Sequence, residues 1–256
     1  MTILYQTWKT KSLPSDYQKN WNKWDQWCRK HKITHILLDD QGLRNLVRDY
    51  YPTYLQFYDS MTENIERVDF ARMVMMSQGG VYADLDTYPS DKNDPIKYVN
   101  INRIVLGCEP KEHSRVLYQR EKVICNAFMI SPSSHLSKEF WEEAMKFVVD
   151  NYERYYKPVE NTGPMALTKL YETHPEVYTN AKVLITEPCV FYPLIAQGRV
   201  SEECDGFNNS YVVHEWTNSW SFKFWKDPIW KNTRHKTYII LVFLGVLILL
   251  AARPRR

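Results

Sequence analysis

The sequence lacks an excess of either charge once its last four residues are set aside. It has 33 lysine and arginine residues against 30 aspartate and glutamate residues, and Arg253, Arg255 and Arg256 account for the difference. A nucleic-acid-binding domain normally carries a strongly basic face, because phosphate contacts supply much of its affinity. The neutral body therefore excludes nucleic acid as the partner.

The sequence also lacks any CxxC pair. Its five cysteines are scattered through the chain as Cys28, Cys108, Cys125, Cys189 and Cys204. This pattern indicates neither a zinc knuckle nor a disulfide-dense secreted scaffold. Because the number is odd, at least one thiol has no intramolecular partner.

A long apolar run is missing from the first residues but present near the end. Residues 1–6 have neither the basic nor the apolar region of a signal peptide, so we expect none. Residues 237–252 carry no charge and are flanked by basic residues on both sides. A helix of this length spans ~24 Å, and flanking basic side chains can cover the remaining membrane thickness. We predict a transmembrane helix here, with a buried C-terminal helix as the alternative, and the flanking charges leave its orientation open.

Short apolar runs alternate with helical periodicity, which predicts an α/β domain. Helices are predicted at residues 16–30, 42–50, 64–77 and 136–151, and another begins at Gly163-Pro164. After an opening strand near the N-terminus, further strands are predicted at residues 33–38, 81–86, 104–106, 123–130, 183–185 and 211–214. No internal repeat interrupts this alternation. We read residues 215–236, rich in tryptophan, as a tail that leads to the membrane helix.

Two aspartates end one of these strands. The alternating run Val81–Asp86 follows Gly79-Gly80 and would place Asp84 and Asp86 on the same side. Two carboxylates that project together are costly unless a cation lies between them. A divalent cation that also binds phosphate oxygens would satisfy both. A solvated loop end is the alternative, since a D-x-D pair alone is a weak signal.

The helix before this strand makes the pattern more specific. Asp69 and Arg72 lie three residues apart on one helix face, which by itself indicates an ordinary ion pair worth about 0.3 kcal/mol. The whole run RVDFARMVMMSQGGVYADLD, however, resembles the R-x-D-x-x-R and G-G-x-Y-x-D-x-D signature of the DxD-containing glycosyltransferases of family 32. These include the yeast initiating α-1,6-mannosyltransferase and the inositol-phosphoceramide mannosyltransferases.

Other segments follow the family pattern in the same order, so that the resemblance covers about residues 3 to 220. They are Gln6-Thr7-Trp8-Lys9, Asn126, Thr162-Gly163-Pro164, His214 and Ser219-Trp220. One departure is Tyr5, which stands where histidine is common in the family. A membrane segment after the catalytic domain is similar to the sphingolipid mannosyltransferase branch.

The resemblance implies a GT-A fold, which is a Rossmann-like nucleotide-sugar-binding domain, and a retaining sugar transfer that needs Mn²⁺ or Mg²⁺. It implies a nucleotide-sugar donor, GDP-mannose or a UDP-sugar, and a glycan or lipid-headgroup acceptor on an endomembrane of the Golgi or ER type. The predicted organisation is a catalytic domain at residues 1–222, a linker at 223–236, a membrane helix at 237–252 and a basic tail at 253–256.

The same resemblance implies roles for individual residues. Asp84, Asp86 and His214 would bind the metal, and Asp69 and Arg72 would hold the donor sugar. The remaining donor-binding residues would be Trp8, Tyr82, Asn126, Ser219 and Trp220, with Trp8 on the base, Tyr82 beside the nucleotide and Ser219-Trp220 over the diphosphate. Plain core packing is the alternative for Trp8 and Trp220, because tryptophan is largely buried anywhere.

Two other functions are compatible with parts of the sequence. A phosphatase with a D-x-D-x-T nucleophile needs threonine at position 88, where the chain has Tyr88. A non-catalytic, membrane-tethered glycan-binding or scaffolding protein could keep the fold. The complete set Asp69, Arg72, Asp84 and Asp86 favours a working sugar transferase over this non-catalytic protein.

Overall fold

The computed structural model describes residues 2–154, 158–196 and 198–217, and strands and helices alternate through them. The strands are β1 (Ile3–Thr7), β2 (Thr34–Leu38), β3 (Gly80–Ala83), β4 (Thr87–Pro89), β5 (Val105–Cys108), β6 (Ile124–Ser131), β7 (Leu184–Thr186) and β8 (Val212–His214). The helices are α1 (Ser15–His31), α2 (Asp40–Tyr50), α3 (Leu55–Ser60), α4 (Asn64–Ser77), α5 (Ile96–Val99), α6 (Lys111–Tyr118), α7 (His135–Asn151), α8 (Pro158–Asn161), α9 (Pro164–Thr173), α10 (Pro175–Asn180) and α11 (Pro188–Phe191), with a 3₁₀ turn at Pro52–Tyr54.

Six strands form the central sheet in the order β2-β1-β3-β6-β5-β7, and β4 pairs with β8 in a small second sheet. Within the large sheet β6 runs antiparallel to both of its neighbours, whereas the other pairs are parallel. The predicted α/β class is confirmed as a mixed fold with a mainly parallel sheet. The carboxyl ends of β1, β3 and β5 therefore meet at one edge, where β6 begins.

Helices cover both faces of this sheet. On one face α4 and α7 contribute Phe70 and Trp141 to a buried cluster. On the other face Trp24 of α1 packs against Phe128 of β6, with the two rings stacked 5.7 Å apart. Strands covered on both faces are largely apolar, and all eight residues of β6 are buried, including the polar Asn126 and Ser131.

The helix that carries the R-x-D-x-x-R motif begins and ends where the sequence predicts. Glu63 and Glu66 form a reciprocal capping box at its first turn, which satisfies backbone donors that have no partner within the helix. After its last residue, Gly79 and Gly80 adopt φ angles of 85° and 127°. These values are in the region that favours glycine, so the pair turns the chain sharply into β3.

The predicted strand over Val81–Asp86 is wrong at its C-terminal end. β3 ends at Ala83, and the backbone N–H of Thr87 then donates to the carbonyl of Asp84 at 3.0 Å, which closes a turn. Asp84 and Asp86 therefore lie in a turn between β3 and β4 and owe their proximity to it.

The predicted membrane helix at residues 237–252 and the domain boundary at 222 lie outside the described residues. Among the described residues, no helix combines the length and apolar character needed to cross a membrane.

Candidate active site

The aspartates of the DxD motif lie where β3 leaves the sheet. The turn that holds them is fixed twice, because the Thr87 hydroxyl also donates to the carbonyl of Asp84, at 2.7 Å. Gln6, fully buried in β1, donates its side-chain amide to the same carbonyl at 3.2 Å. The neighbouring strand therefore holds the backbone of the motif in place.

The small sheet brings His214 to this turn across 128 residues of sequence. Thr87 of β4 is in register with His214 of β8, so that the histidine lies beside Asp86. His214 Nε2 is 3.1 Å from Asp86 Oδ1. One ligand atom from each of Asp84, Asp86 and His214 lies within 4.8 Å of the others, as the prediction of a three-residue metal site requires.

Electrostatics separate the two carboxylates. Burial raises the pKa of Asp84. Burial acts in the same direction on Asp86, but His214 and hydrogen bonds from Thr217 outweigh it and lower its pKa well below the usual range. For His214, burial alone would lower the pKa, and the carboxylates, Asp86 foremost, raise it instead. Asp86 is therefore the firmly ionised member of the pair.

Arg72 joins the R-x-D-x-x-R helix to the DxD turn. Its guanidinium is 2.8 Å from Asp84 Oδ1 and 3.3 Å from Asp69 Oδ1, and it lies 4.6 Å from the centre of the Tyr82 ring. Only 6% of Arg72 is exposed. This is more than the ordinary surface ion pair considered from the sequence, because a buried cation here lies between the buried Asp69 and the partly buried Asp84.

Asp69 lies deeper, at the centre of a polar group that comes from three elements. It accepts from Asn126 Nδ2 of β6 at 2.8 Å and from Thr162 Oγ1 at 3.4 Å, and 3% of it is exposed. Burial raises the pKa of Asp69 to about 6, against the opposing effect of Arg72. A Cβ on Gly163 would lie 2.9 Å from Asp69 Oδ2, so a larger residue in this loop would have to displace the carboxylate.

Tyr82 is fully buried beneath the turn. Its hydroxyl donates to Asp84 Oδ1 at 2.6 Å and lies 3.1 Å from the hydroxyl of Thr7 at the end of β1. The structure thus places it behind Asp84, and its predicted position beside a nucleotide stays a prediction.

Trp8 directly follows β1 and is connected to Asp86 through Tyr17 and Thr217. Its ring lies 5.0 Å from that of Tyr17, whose hydroxyl is 3.3 Å from Thr217 Oγ1. The backbone N–H and hydroxyl of Thr217 both donate to Asp86 Oδ2 at 2.9 Å. Ser219 and Trp220, also predicted to bind the donor, lie outside the described residues.

The sequence prediction missed a buried group beside His214. Glu109 directly follows β5 and is 3% exposed, and burial raises its pKa to about 7. His113 Nδ1 lies 3.7 Å from this carboxylate, and the His113 ring packs edge-on against Trp216 at 4.4 Å. Trp216 in turn packs 4.0 Å from the His214 ring. An acidic residue directly after an apolar strand was the one signal available for Glu109.

The three-residue cluster fits the divalent cation that the resemblance implies. Carboxylate oxygens suit Mg²⁺ and Mn²⁺, and one imidazole is compatible with the softer of the two. Arg72 and Tyr82 both contact Oδ1 of Asp84. Oδ2 of Asp84 has no partner among the described side-chain contacts and could bind a cation. A cation on His214 Nε2 would replace the proton that this atom now shares with Asp86.

Comparison with known proteins relates the site to curated enzymes. The chain is 27% identical over 93% of its length to inositol phosphoceramide mannosyltransferase 2 of Schizosaccharomyces pombe, of which it spans 63%. It is 27% identical over 43% of its length to the initiation-specific α-1,6-mannosyltransferase of Saccharomyces cerevisiae, of which it spans 28%. It therefore covers less than two thirds of either relative.

A solved structure and a family model also match. The structure is a glycosyltransferase involved in the glycosylation of the major capsid of PBCV-1, with a TM-score of 0.44, 12% identity, and coverage of 85% of this chain and 95% of that one. The family model matches residues 14–100, which include the R-x-D-x-x-R helix and the DxD turn. Through this region the chain matches the family described as the glycosyltransferase sugar-binding region containing a DXD motif.

Proposed function

We propose that this protein is a metal-dependent, retaining glycosyltransferase that moves mannose from GDP-mannose to a glycan or to the headgroup of a glycolipid. The observation that carries the proposal is the cluster of Asp84, Asp86 and His214 at the edge where three parallel strands end. Ligands commonly bind outside the carboxyl ends of the strands in open α/β sheets. The proposed fold is accordingly of the GT-A type.

The side chains around the cluster would prepare it for a diphosphate leaving group. When bound, Mn²⁺ or Mg²⁺ supplies positive charge that stabilises the departing nucleoside diphosphate. Arg72 adds a fixed positive charge next to Asp84, and Gln6 and Thr87 hold the turn still. Asp69 and the backbone carbonyl of Asn126 hold the Arg72 guanidinium in place. A front-face retaining reaction needs no protein base.

The choice of donor and acceptor rests on the names of the relatives. Both of those compared above are mannosyltransferases, and one has inositol phosphoceramide in its name. We propose that Trp8, half-buried at the end of β1, packs on the donor base, together with the predicted contacts of Tyr82, Ser219 and Trp220. A lipid acceptor agrees with a predicted membrane helix at residues 237–252 after a catalytic domain at 1–222, on an endomembrane.

The proposal is tested with the full chain in detergent, incubated with GDP- and UDP-sugars in the presence of Mn²⁺ or of EDTA. Release of GDP or UDP is measured for the wild type, for Asp86→Asn and for Asp59→Asn. The last is the matched control, because Asp59 pairs with Arg44 on the protein surface.

We expect release from GDP-mannose that needs Mn²⁺, disappears in Asp86→Asn and persists in Asp59→Asn. Release from a UDP-sugar instead would replace the donor and keep the reaction class. Folded wild-type protein that neither binds nor turns over any donor would contradict the proposal and favour a non-catalytic glycan-binding protein.

A further inference from the structure

All five cysteines lie in the described part of the chain, and none offers a reactive thiol to solvent. Cys189 and Cys204 form a disulfide, with their Cα atoms 5.4 Å apart. Cys28, Cys108 and Cys125 are buried free thiols. Burial raises the pKa of Cys28 and of Cys108 to about 12, and that of Cys125 well above its usual value. Protonated, inaccessible thiols do not exchange with disulfides.

This division of the cysteines indicates an oxidising compartment. Disulfides persist in secretory and extracellular proteins and are reduced in the cytosol. Closing the bridge removes two protons and two electrons from the Cys189 and Cys204 thiols, and a dithiol–disulfide exchange partner of that compartment accepts them. The charges around residues 237–252 do not determine on which side of the membrane the domain lies. The bridge assigns the domain to the oxidising, lumenal side.

The bridge ties α11 to a surface turn that contains a glycosylation sequon. The sequon is Asn208-Asn209-Ser210, in which the hydroxyl residue stands two positions after the asparagine. The Asn208 side chain is exposed, and its amide donates to Asp205 Oδ2 at 3.1 Å within the same turn. Its backbone carbonyl accepts from Asn93 Nδ2 at 2.8 Å, which fixes the turn and leaves the side chain pointing away from the core.

The third residue of the sequon is in the opposite situation. Ser210 is fully buried, and its hydroxyl donates to the carbonyl of Cys189 at 2.9 Å. A glycosylating enzyme reads this hydroxyl, so it must act before the turn closes on Cys189. Modification of Asn208 would therefore have to precede folding of this turn.

We propose that Asn208 carries an N-linked glycan, added in an oxidising lumen before the Cys189–Cys204 bridge closes. A new bond joins Asn208 Nδ2 to C1 of the first sugar, the amide loses one proton, and the lipid diphosphate of an oligosaccharide-lipid donor leaves from C1. The exposed side of the turn accommodates the glycan, because among the described contacts of the Asn208 side chain only the bond to Asp205 has to yield. This proposal does not depend on the proposed sugar-transfer activity.

The test uses the full chain expressed in eukaryotic secretory cells and analysed on denaturing gels with and without peptide N-glycosidase. The variants are Asn208→Gln, Asn209→Gln, Ser210→Thr and Cys189→Ser/Cys204→Ser. Asn209→Gln is the matched control, since it changes the exposed neighbouring asparagine and keeps the sequon. A thiol-reactive polymer added to the denatured, unreduced chain counts free thiols on the same gels. Denatured samples also report on variants that fail to fold.

We expect one glycan on the wild type, on Asn209→Gln and on Ser210→Thr, and none on Asn208→Gln. The double cysteine variant should be glycosylated at least as fully as the wild type, because modification precedes the bridge. Polymer should label three of the five cysteines before reduction and all five after it. A wild-type chain that the glycosidase does not shift, a glycan that persists in Asn208→Gln, or five labelled thiols without reduction would overturn the proposal.

Discussion

Arg72 Nη2 lies 2.8 Å from Asp84 Oδ1 and links the R-x-D-x-x-R helix to the DxD turn. The two motifs are therefore one structure, in which a single buried guanidinium serves carboxylates from both. A buried charge that loses its partner keeps its desolvation cost. The following predictions begin with this contact.

Removing the charge of Arg72 should strongly destabilise the fold. Arg72→Met removes the cation beside the buried Asp69 and takes a charged partner from Asp84, and we expect the free energy of unfolding to fall by about 3–5 kcal/mol. Arg44→Met breaks a surface pair with Asp59 and should lower the free energy of unfolding far less, because exposed ion pairs contribute little to stability. Urea unfolding of both variants measures the difference, and equal losses would contradict a balancing role for Arg72.

Glu109 should make stability depend on pH in the direction opposite to most carboxylates. Its folded pKa of about 7 lies above the unfolded value, so the native state keeps the proton longer. Between pH 4.5 and 7 the unfolded chain ionises first, and stability falls as the pH rises. Glutamine at this position resembles the protonated acid. The free energy of unfolding of Glu109→Gln, relative to that of the wild type, should therefore increase by up to about 3 kcal/mol as the pH rises through this range.

The neighbouring His113 has the opposite sign in the same range. Burial lowers the pKa of folded His113 to about 4, below the pKa of histidine in the unfolded chain. Its contribution to stability is therefore lost as the pH falls below the unfolded-state pKa. Comparing Glu109→Gln with the wild type in EDTA isolates the glutamate, since both keep His113. Chemical unfolding at several pH values is the measurement, with exposed Glu176→Gln as the control. A difference between Glu109→Gln and wild type that does not change with pH would refute the assignment.

Trp216 should control how well His214 binds a metal. It packs 4.0 Å from the His214 ring, its backbone φ of 55° is unusual for tryptophan, and its Nε1 donates to Leu194 O at 2.6 Å. Groups that orient a metal ligand typically contribute 10–100-fold in affinity. We expect Trp216→Ala to weaken Mn²⁺ binding by at least ~10-fold in calorimetry, and Trp216→Phe to retain most of it.

The control for Trp216 is Phe147→Ala, which removes a ring that packs on another histidine, His174. It should leave the Mn²⁺ affinity unchanged. If Trp216→Ala binds Mn²⁺ as tightly as the wild type does, Trp216 has no orienting role.

Gly80 should tolerate no side chain. Its φ is 127°, and a Cβ would lie 2.6 Å from the backbone oxygen of Ile3 in the adjacent strand. We expect Gly80→Ala to cost more than about 2 kcal/mol. Gly198 also has a positive φ, of 72°, but apart from its chain neighbours no atom of the described residues lies within 4 Å of its Cβ position. Gly198→Ala should therefore cost only about 1 kcal/mol, and similar denaturant midpoints for the two variants would contradict a clash at Gly80.

Elements with strong local signals were predicted well. The helix Asn64–Ser77 is bounded by a capping residue and a glycine pair that directly flank it in the sequence. The apolar strand around Asn126 was predicted to within one residue at each end. The helix Lys111–Tyr118 and the strand Thr87–Pro89 were missed. Both are short, and the second exists only because β8 pairs with it, so no local pattern could reveal it.

The amino-acid sequence by itself determined the α/β class, the motif residues Asp69, Arg72, Asp84 and Asp86, and the family resemblance that they carry. Those signals depend on periodicity and spacing within about twenty residues. The resemblance also grouped His214 with the two aspartates, but only the tertiary structure showed how His214 meets Asp86 across 128 residues, that Glu109 and Trp216 lie behind it, and that Cys189 pairs with Cys204. Such contacts depend on which strands pair and which side chains become buried, and the free energies of burial and desolvation that select them are set by the whole fold.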